Sequence, residues 1–70
     1  MTFGNKIKKY RLLRGMTQKE LGLRCGFTAN SAGERILQYE KNRRIPRPKL
    51  LKTIADVLGV KEIDLVDDPS

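Results

Sequence analysis

The chain contains no histidine and no tryptophan, and it has a single cysteine, Cys25. One cysteine cannot form an intrachain disulfide, and without histidine neither a structural zinc site nor histidine-based acid–base catalysis is available. No run approaches the ~18 consecutive apolar residues of a membrane span, and the N-terminus lacks the apolar centre of a signal peptide. We therefore expect a cytoplasmic protein that is not an enzyme and that needs neither cofactor nor metal.

Positive charge is abundant and unevenly distributed. Residues 1–52 hold fourteen of the fifteen Lys and Arg together with three Glu, a net charge of +11. Residues 53–70 hold one Lys and five acidic residues, a net charge of −4, so that the whole chain carries +7. A basic body with an acidic end favours a polyanion bound to one side of the molecule. A basic surface that serves only solubility is the alternative.

Seventy residues allow one small domain, and turn signals divide it into short helices. Helical spacing of apolar residues predicts a first helix over residues 3–14. In "MTQKELGLRCG", Thr17 and Glu20 have the spacing of a capping box, in which each side chain bonds the other residue's backbone N–H. Gly26 is a typical C-terminal stop for this second helix.

Two further helices follow the third, which ends near Lys41. Asn42 suits the left-handed position after a helix end, and Pro48 suits the first turn of a fourth helix. The segment "VKEIDLV" predicts a short fifth helix, whose Leu65 is one candidate to close the core. We predict an all-α domain of five helices over residues 1–66, followed by an acidic, frayed tail over 67–70.

The third helix presents a polar face opposite Ile36 when its residues are spaced at about 100° around the axis. Arg, Gln, Asn and Glu side chains bear donors or acceptors that match the edges of DNA bases. The candidates for reading bases on this face and its flanks are Asn30, Ser31, Glu34, Arg35 and Gln38. An ordinary solvated helix face explains the same residues equally well.

Glu40 lies on the inner side of the third helix, near the C-terminal turn, where the helix dipole disfavours a negative charge. A partly buried carboxylate at such a position requires a cationic partner. Arg11, one turn beyond Ile7 on the first helix, is the candidate. We therefore predict a structural ion pair between Arg11 and Glu40.

Four segments, "MTQKELG", "GFT", "ILQYEKNRRIP" and "LLKTIADVLGV", resemble the Cro/CI-type, lambda repressor-like family of helix-turn-helix DNA-binding domains. The resemblance runs from about Phe3 to Val66. It implies that the second and third helices form the helix-turn-helix and that the third enters the major groove of double-stranded DNA. It also implies a homodimer on two half-sites and a transcriptional repressor of phage or mobile-element type. Family members commonly pair a first-helix arginine with the glutamate that ends the third helix, which matches Arg11 and Glu40.

The resemblance also implies roles for individual positions. Glu34 and Gln38 match base-facing positions, and Gly33 matches another that has no side chain here. The positions that match phosphate contacts are Gln18, Lys19, Lys41, Asn42, Arg43 and Arg44. For three lysines of the first helix, Lys6, Lys8 and Lys9, DNA contact and plain solubility remain open.

One departure from the family pattern lies in "GFTANSAGERI", which is about four residues longer than usual, close to one helical turn. If Thr28 is the N-cap, the recognition helix gains a turn and Asn30 and Ser31 enter the groove. If Ser31 is the N-cap, "SAGE" is a capping box that ties Glu34 to the backbone. We favour Thr28, because Ala29, Ala32 and Ile36 then form one stripe.

A second class of function remains open on the same fold. Leu37 is an apolar residue that points partly outward, and the end of the chain is acidic. These features suit a protein-binding module, such as an antitoxin or an adaptor, that contacts its partner through Leu37 or the acidic tail.

Overall fold

Four α-helices and one 3₁₀ turn make up the fold over the described residues. In this computed structural model, which describes residues 1–66, α1 spans Phe3–Leu13, α2 Gln18–Arg24, α3 Ala32–Glu40 and α4 Pro48–Leu58, and the 3₁₀ turn spans Glu62–Leu65. No strand occurs in this range, so the all-α prediction is confirmed. Within the same range, no helix is long and apolar enough to cross a membrane. The predicted frayed tail, residues 67–70, lies outside the described residues.

Local signals determine most of the helix boundaries. The predicted capping box of α2 is present, since Thr17 Oγ1 accepts from Glu20 N–H at 3.0 Å and Glu20 Oε1 accepts from Thr17 N–H at 3.4 Å. Thr2 caps α1 in a similar way by accepting from Asn5 N–H at 3.2 Å. Asn42 has a φ of 60°, the left-handed conformation predicted for it after α3. These signals need no tertiary contact, because each acts within a few residues of the helix end.

The predicted fifth helix is only a four-residue 3₁₀ turn. The Asp64 carboxylate caps it by accepting from Lys61 N–H at 3.0 Å. Leu65 is fully buried and closes the core, whereas Ile63 is 68% exposed. The Lys6 ammonium donates to the carbonyl of Val66, which ties the end of this turn to α1.

The start of α3 agrees with the Ser31 alternative in position, because Ser31 occupies the N-cap, but the predicted capping box is absent. The helix begins at Ala32, so the extra helical turn expected from Thr28 is not formed, and Ser31 makes no side-chain cap hydrogen bond. Instead, the Thr28 carbonyl accepts from both Ser31 N–H at 3.1 Å and Ala32 N–H at 2.8 Å, which closes a turn before the helix. Thr28 and Ser31 also join their hydroxyl groups at 3.1 Å. Short polar side chains that bond locally in this way compete with helix formation.

The core lies where α1, α2, α3 and α4 converge with the 3₁₀ turn. Its largest fully buried side chains are Ile7, Leu21, Ile36, Ile54, Leu58 and Leu65. The helix-turn-helix pair is held especially close at Gly22, where an added Cβ would lie 2.4 Å from the Ala32 carbonyl oxygen. No side chain fits in that space, so the position of α3 against α2 depends on a glycine at residue 22.

Two glycine substitutions should therefore have opposite effects on stability. Gly22→Ala should lower the free energy of unfolding by about 1–3 kcal/mol, because a backbone carbonyl has to move. Gly33→Ala should raise it by about 0.5–1 kcal/mol, because Ala is the better helix former and the nearest atoms to the new Cβ, those of Lys19, lie 3.8 Å away. Urea unfolding followed by circular dichroism measures both. Equal effects of the two variants would contradict the close approach at Gly22.

Candidate nucleic-acid interface

The outward side of α3 presents a hydrogen-bonded pair of polar side chains. Glu34 is exposed and Gln38 is half-buried, and they lie one helical turn apart. Gln38 Nε2 donates to Glu34 Oε1 at 2.6 Å. The structure thus brings together two of the predicted base-reading residues, which we call the Glu34–Gln38 pair.

Two other base-reading candidates lie outside the helix. Asn30 is exposed and Ser31 is half-buried, and both belong to the turn that precedes α3. Because α3 does not begin at Thr28, these residues do not continue its outward face as the favoured alternative expected. Ser31 also uses its hydroxyl in the bond to Thr28.

Arg35 lies on one flank of α3. Its guanidinium carbon is 4.7 Å from the centroid of the Phe27 ring, within the range of a cation–π interaction. Its Nε is buried and has no hydrogen-bond partner in the described part of the chain. Phe27 therefore holds the Arg35 guanidinium beside the outward side of α3.

Arg35 lines a groove of about 610 Å³ between α3 and the start of α4. We call this the α3–α4 groove. Its lining includes four cationic side chains and no carboxylate, and the residues are Cys25, Phe27, Arg35, Tyr39, Arg44, Ile45, Arg47, Lys49, Leu50 and Thr53. The groove is therefore a positively charged surface along one flank of α3.

A second groove, of about 510 Å³, lies along the opposite flank, between α1 and the end of α3. We call this the α1–α3 groove. The residues that line it are Asn5, Lys8, Gln18, Leu37, Glu40, Lys41, Asn42 and Arg43. Its three cations, Lys8, Lys41 and Arg43, are all exposed. Cationic side chains thus lie on both sides of the Glu34–Gln38 pair.

A buried ion pair joins α1 to the end of α3 beneath the α1–α3 groove. Arg11 Nε donates to Glu40 Oε2 at 2.6 Å and Arg11 Nη2 donates to Glu40 Oε1 at 3.1 Å, a two-pronged contact. Arg11 Nη1 also donates to the Met16 carbonyl at 2.9 Å, just before α2. Gln18 Nε2 completes the network by donating to Glu40 Oε1 at 3.1 Å. One carboxylate thereby links α1, α2 and α3.

Removal of either charge of this pair should cost far more than removal of both. Glu40→Ala leaves the Arg11 guanidinium buried without its counter-charge, and we expect the free energy of unfolding to fall by about 3–5 kcal/mol. The double variant Arg11→Met with Glu40→Leu should recover most of that loss. Glu62→Ala, which removes an exposed carboxylate, is the matched control. A cost below about 1 kcal/mol for Glu40→Ala, the scale of an exposed pair, would contradict this assignment.

The predicted phosphate contacts differ in how their side chains are used. Lys19 is exposed, as are Lys41, Arg43 and Arg44. Gln18 is bonded to Glu40, so its amide orientation is held by the ion pair. These residues fall on both flanks of α3 and at the start of α2.

Asn42 is engaged within the chain. Its Oδ1 accepts from Gly4 N–H at 3.0 Å and its Nδ2 donates to Thr2 Oγ1 at 3.1 Å. An added Cβ on Gly4 would lie 2.2 Å from the Glu40 carbonyl oxygen, so the start of α1 packs directly on the end of α3. The Asn42 amide therefore fastens these two helix ends together.

Arg47 and Lys49 belong to the α3–α4 groove although the sequence patterns above do not predict them as site residues. Both are exposed, and they flank Pro48 at the start of α4. The segment "RRIPRPK" carries a signal that points to them, since it places four cations within seven residues beside two prolines. Proline biases the preceding backbone toward extended conformations, which separates these charges along a surface.

Cys25 lies at the edge of the α3–α4 groove and is half-buried. Burial raises the pKa of its thiol to about 11, because the thiolate loses hydration. The thiol therefore stays protonated at neutral pH and is a poor nucleophile. Within residues 1–66, no group of three or more His, Cys, Asp or Glu is arranged to hold a metal ion.

Alkylation of Cys25 measures this environment directly. A rise of the pKa from 9.0 to about 11 lowers the thiolate population at pH 8 roughly 100-fold. Iodoacetamide should therefore modify the native chain about that much more slowly than the urea-unfolded chain. Equal rates in the two states would show that the thiol is not desolvated.

The two closely packed helices, the capped turn that enters α2 and the polar outward side of α3 define a helix-turn-helix domain. A family model described as helix-turn-helix matches residues 7–65, and the chain belongs to this family. The Cro/CI-type resemblance is thereby confirmed. Members of the family are binding domains and not enzymes, in agreement with the expectation from the sequence.

Named relatives share the same domain over most of this chain. An uncharacterized HTH-type transcriptional regulator of Methanocaldococcus jannaschii is 36% identical over 61 residues, which cover 87% of this chain and 86% of the relative. The uncharacterized HTH-type transcriptional regulator YazB of Bacillus subtilis is 29% identical over 63 residues, 90% of this chain and 86% of YazB. The crystal structure of the transcriptional regulator BswR matches with a TM-score of 0.85 and 35% identity over 90% of this chain. This chain spans 61% of the length of the BswR chain.

Proposed function

We propose that this chain binds double-stranded DNA with sequence preference, with α3 in the major groove, and that it regulates transcription in the cytoplasm. One observation carries the proposal: the Glu34–Gln38 pair lies between two grooves lined by cationic side chains. The family and the regulators to which the chain is similar support the same role.

The dimensions of DNA support this arrangement. An α-helix with its side chains is about 10–12 Å across, and the major groove is about 12 Å wide. A helix in that groove has one phosphate backbone on each side. Lys8, Lys41 and Arg43 of the α1–α3 groove would then contact one strand, while the cations of the α3–α4 groove, Arg35, Arg44, Arg47 and Lys49, would contact the other.

Phosphate and base contacts divide between different residues in this proposal. Lys19 and Gln18 add to the α1–α3 side, whereas Asn42 contributes little through its side chain because both ends of its amide are bonded to α1 and its cap. Phosphate contacts supply affinity and orientation without sequence information. Glu34 and Gln38 supply base preference, and Arg35 acts from the flank and not from the centre of the reading face.

Binding to a duplex at several salt concentrations tests the proposal. The logarithm of the association constant should fall steeply and linearly with the logarithm of salt concentration, by about 0.9 for each phosphate neutralised. Arg43→Ala and Arg47→Ala, one from each groove, should each make the slope shallower by about 1 and weaken all sequences alike. Fluorescence anisotropy with labelled duplexes measures these slopes.

The charge-matched control is Lys61→Ala, because Lys61 is exposed beside the 3₁₀ turn and lines neither groove. It should leave the slope unchanged. A flat slope for the unsubstituted protein would overturn the proposal. Equal effects of Lys61 and the two groove arginines would show that net charge alone, and not the grooves, governs binding.

Repression and a homodimer on DNA form part of the proposal, and both follow from the resemblance to Cro/CI-type regulators, as does a phage or mobile-element type. Exposed apolar surface supports a contact between copies: Ile45 is 85% exposed beside a cleft lined by Phe3, Pro46, Leu51 and Val66. Selection of bound duplexes from a random pool reports the dimer as a palindrome with half-sites about 10–10.5 base pairs apart. A reporter gene downstream of the selected site distinguishes repression from activation.

A protein-binding module remains the alternative. Leu37 is half-buried in the α1–α3 groove, so only part of it is available to a partner. Recovery of a stoichiometric protein partner together with absence of duplex binding at low salt would favour this alternative.

A further inference from the structure

The hydrogen bond within the Glu34–Gln38 pair determines which hydrogen-bonding groups the outward side of α3 presents to a ligand. An ionised carboxylate has no hydrogen to donate, so the Gln38 atom that faces it is the amide nitrogen. That nitrogen lies 2.6 Å from Glu34 Oε1, the short distance typical of a charge-assisted bond. The bond thus favours the Gln38 amide orientation in which Nε2 faces Glu34 and Oε1 faces away from it.

The pair consequently presents more acceptors than donors. Among residues 1–66, neither Glu34 Oε2 nor Gln38 Oε1 has a hydrogen-bond partner. Only one N–H of the Gln38 amide remains to be donated. Gly33, on the same helix, adds no side chain to this surface.

Each base pair presents one amino donor on its major-groove edge, and the position of that donor depends on the sequence. Adenine offers its N6 amino group and cytosine its N4 amino group, whereas guanine N7 and O6 and thymine O4 only accept. A carboxylate that loses water in the groove without meeting a donor is strongly unfavourable. The same charge is repelled by the phosphates, and a contact with an amino group offsets that repulsion.

We propose that the Glu34–Gln38 pair acts as one acceptor-rich reader of exocyclic amino groups, with Glu34 accepting from cytosine N4 and Gln38 contacting N6 and N7 of an adjacent adenine. Glu34 has two effects in this inference. It contacts a base, and it positions the Gln38 amide for adenine while weakening binding to sequences that place no amino group opposite its carboxylate. The inference rests on the proposed function and adds the chemistry of the base edges that are recognised.

Base analogues that lack a single amino group test the inference on a duplex selected by the unsubstituted protein. Each adenine is replaced in turn by purine and each cytosine by 2-pyrimidinone. At the contacted positions, loss of the amino group should weaken binding about 5- to 150-fold, equivalent to about 1–3 kcal/mol. Glu34→Ala should abolish the penalty at the cytosine, and Gln38→Ala should abolish it at the neighbouring adenine.

A second measurement separates base reading from a purely structural role. Glu34→Ala should tighten binding to random-sequence duplex by roughly 2- to 5-fold, the scale of one exposed charge interaction. Glu62→Ala, the matched control, removes an exposed carboxylate of the 3₁₀ turn and should change neither measurement. Both variants lose exposed side chains and should fold, which circular dichroism checks.

The outcomes distinguish this inference from the proposed function. One outcome is that binding depends steeply on salt, but removal of a base amino group weakens the unsubstituted protein and Glu34→Ala equally at every position. The acceptor-rich reader is then wrong, and DNA binding stands. The acceptor-rich reader is also wrong if the positions relaxed by Glu34→Ala respond to 7-deazaguanine, which lacks an acceptor, instead of to deaminated bases. Absence of any salt-dependent duplex binding overturns both.

Discussion

The two-pronged contact between Arg11 and Glu40 is the interaction on which the rest of the structure depends. It is buried, and it joins the first helix, the entry to the second and the end of the third. A domain of this size has a small core, so apolar burial alone leaves little margin for fixing one helix against another. The polar network adds direction, because each of its donors has one acceptor in reach. The orientation of α3, on which its proposed contact with the DNA major groove depends, is therefore set by a buried carboxylate at its own C-terminal turn.

Glu40 is also linked to the surface by Gln18, whose Nε2 donates a hydrogen bond to its carboxylate. The α1–α3 groove is consequently not a loose collection of charged side chains. Its floor is a satisfied hydrogen-bond network, and its exposed cations lie around the rim. The α3–α4 groove is built differently, by an aromatic ring under an arginine and a proline-bounded linker. Two different packing arrangements thus place cationic side chains on both flanks of α3.

Prediction from sequence succeeds where a few neighbouring residues decide the outcome. Thr17 with Glu20, and Asn42 in its left-handed conformation, are of this kind. The pairing of Arg11 with Glu40 can also be predicted from the sequence, since a charge on an inner helix face needs a partner. The start of α3 is predicted only in part: Ser31 is the N-cap, as one alternative has it, but its hydroxyl bonds Thr28, which neither alternative considers. The uses of Gln18 and Asn42 escape prediction for another reason: their partners are 22 and 38 to 40 residues away, and only the folded chain brings them together.

Gly33 has a consequence for how recognition by this fold can change over evolutionary time. It lies in the first turn of α3, and the nearest atoms to an added Cβ are the backbone and Cβ of Lys19, 3.8 Å away. A Cβ added there lies directly before Glu34 and meets only ordinary contact distances, in contrast to one added at Gly22. Under the proposed function, Gly33 is therefore a position at which one substitution changes the target sequence of a descendant protein while the rest of the fold is retained.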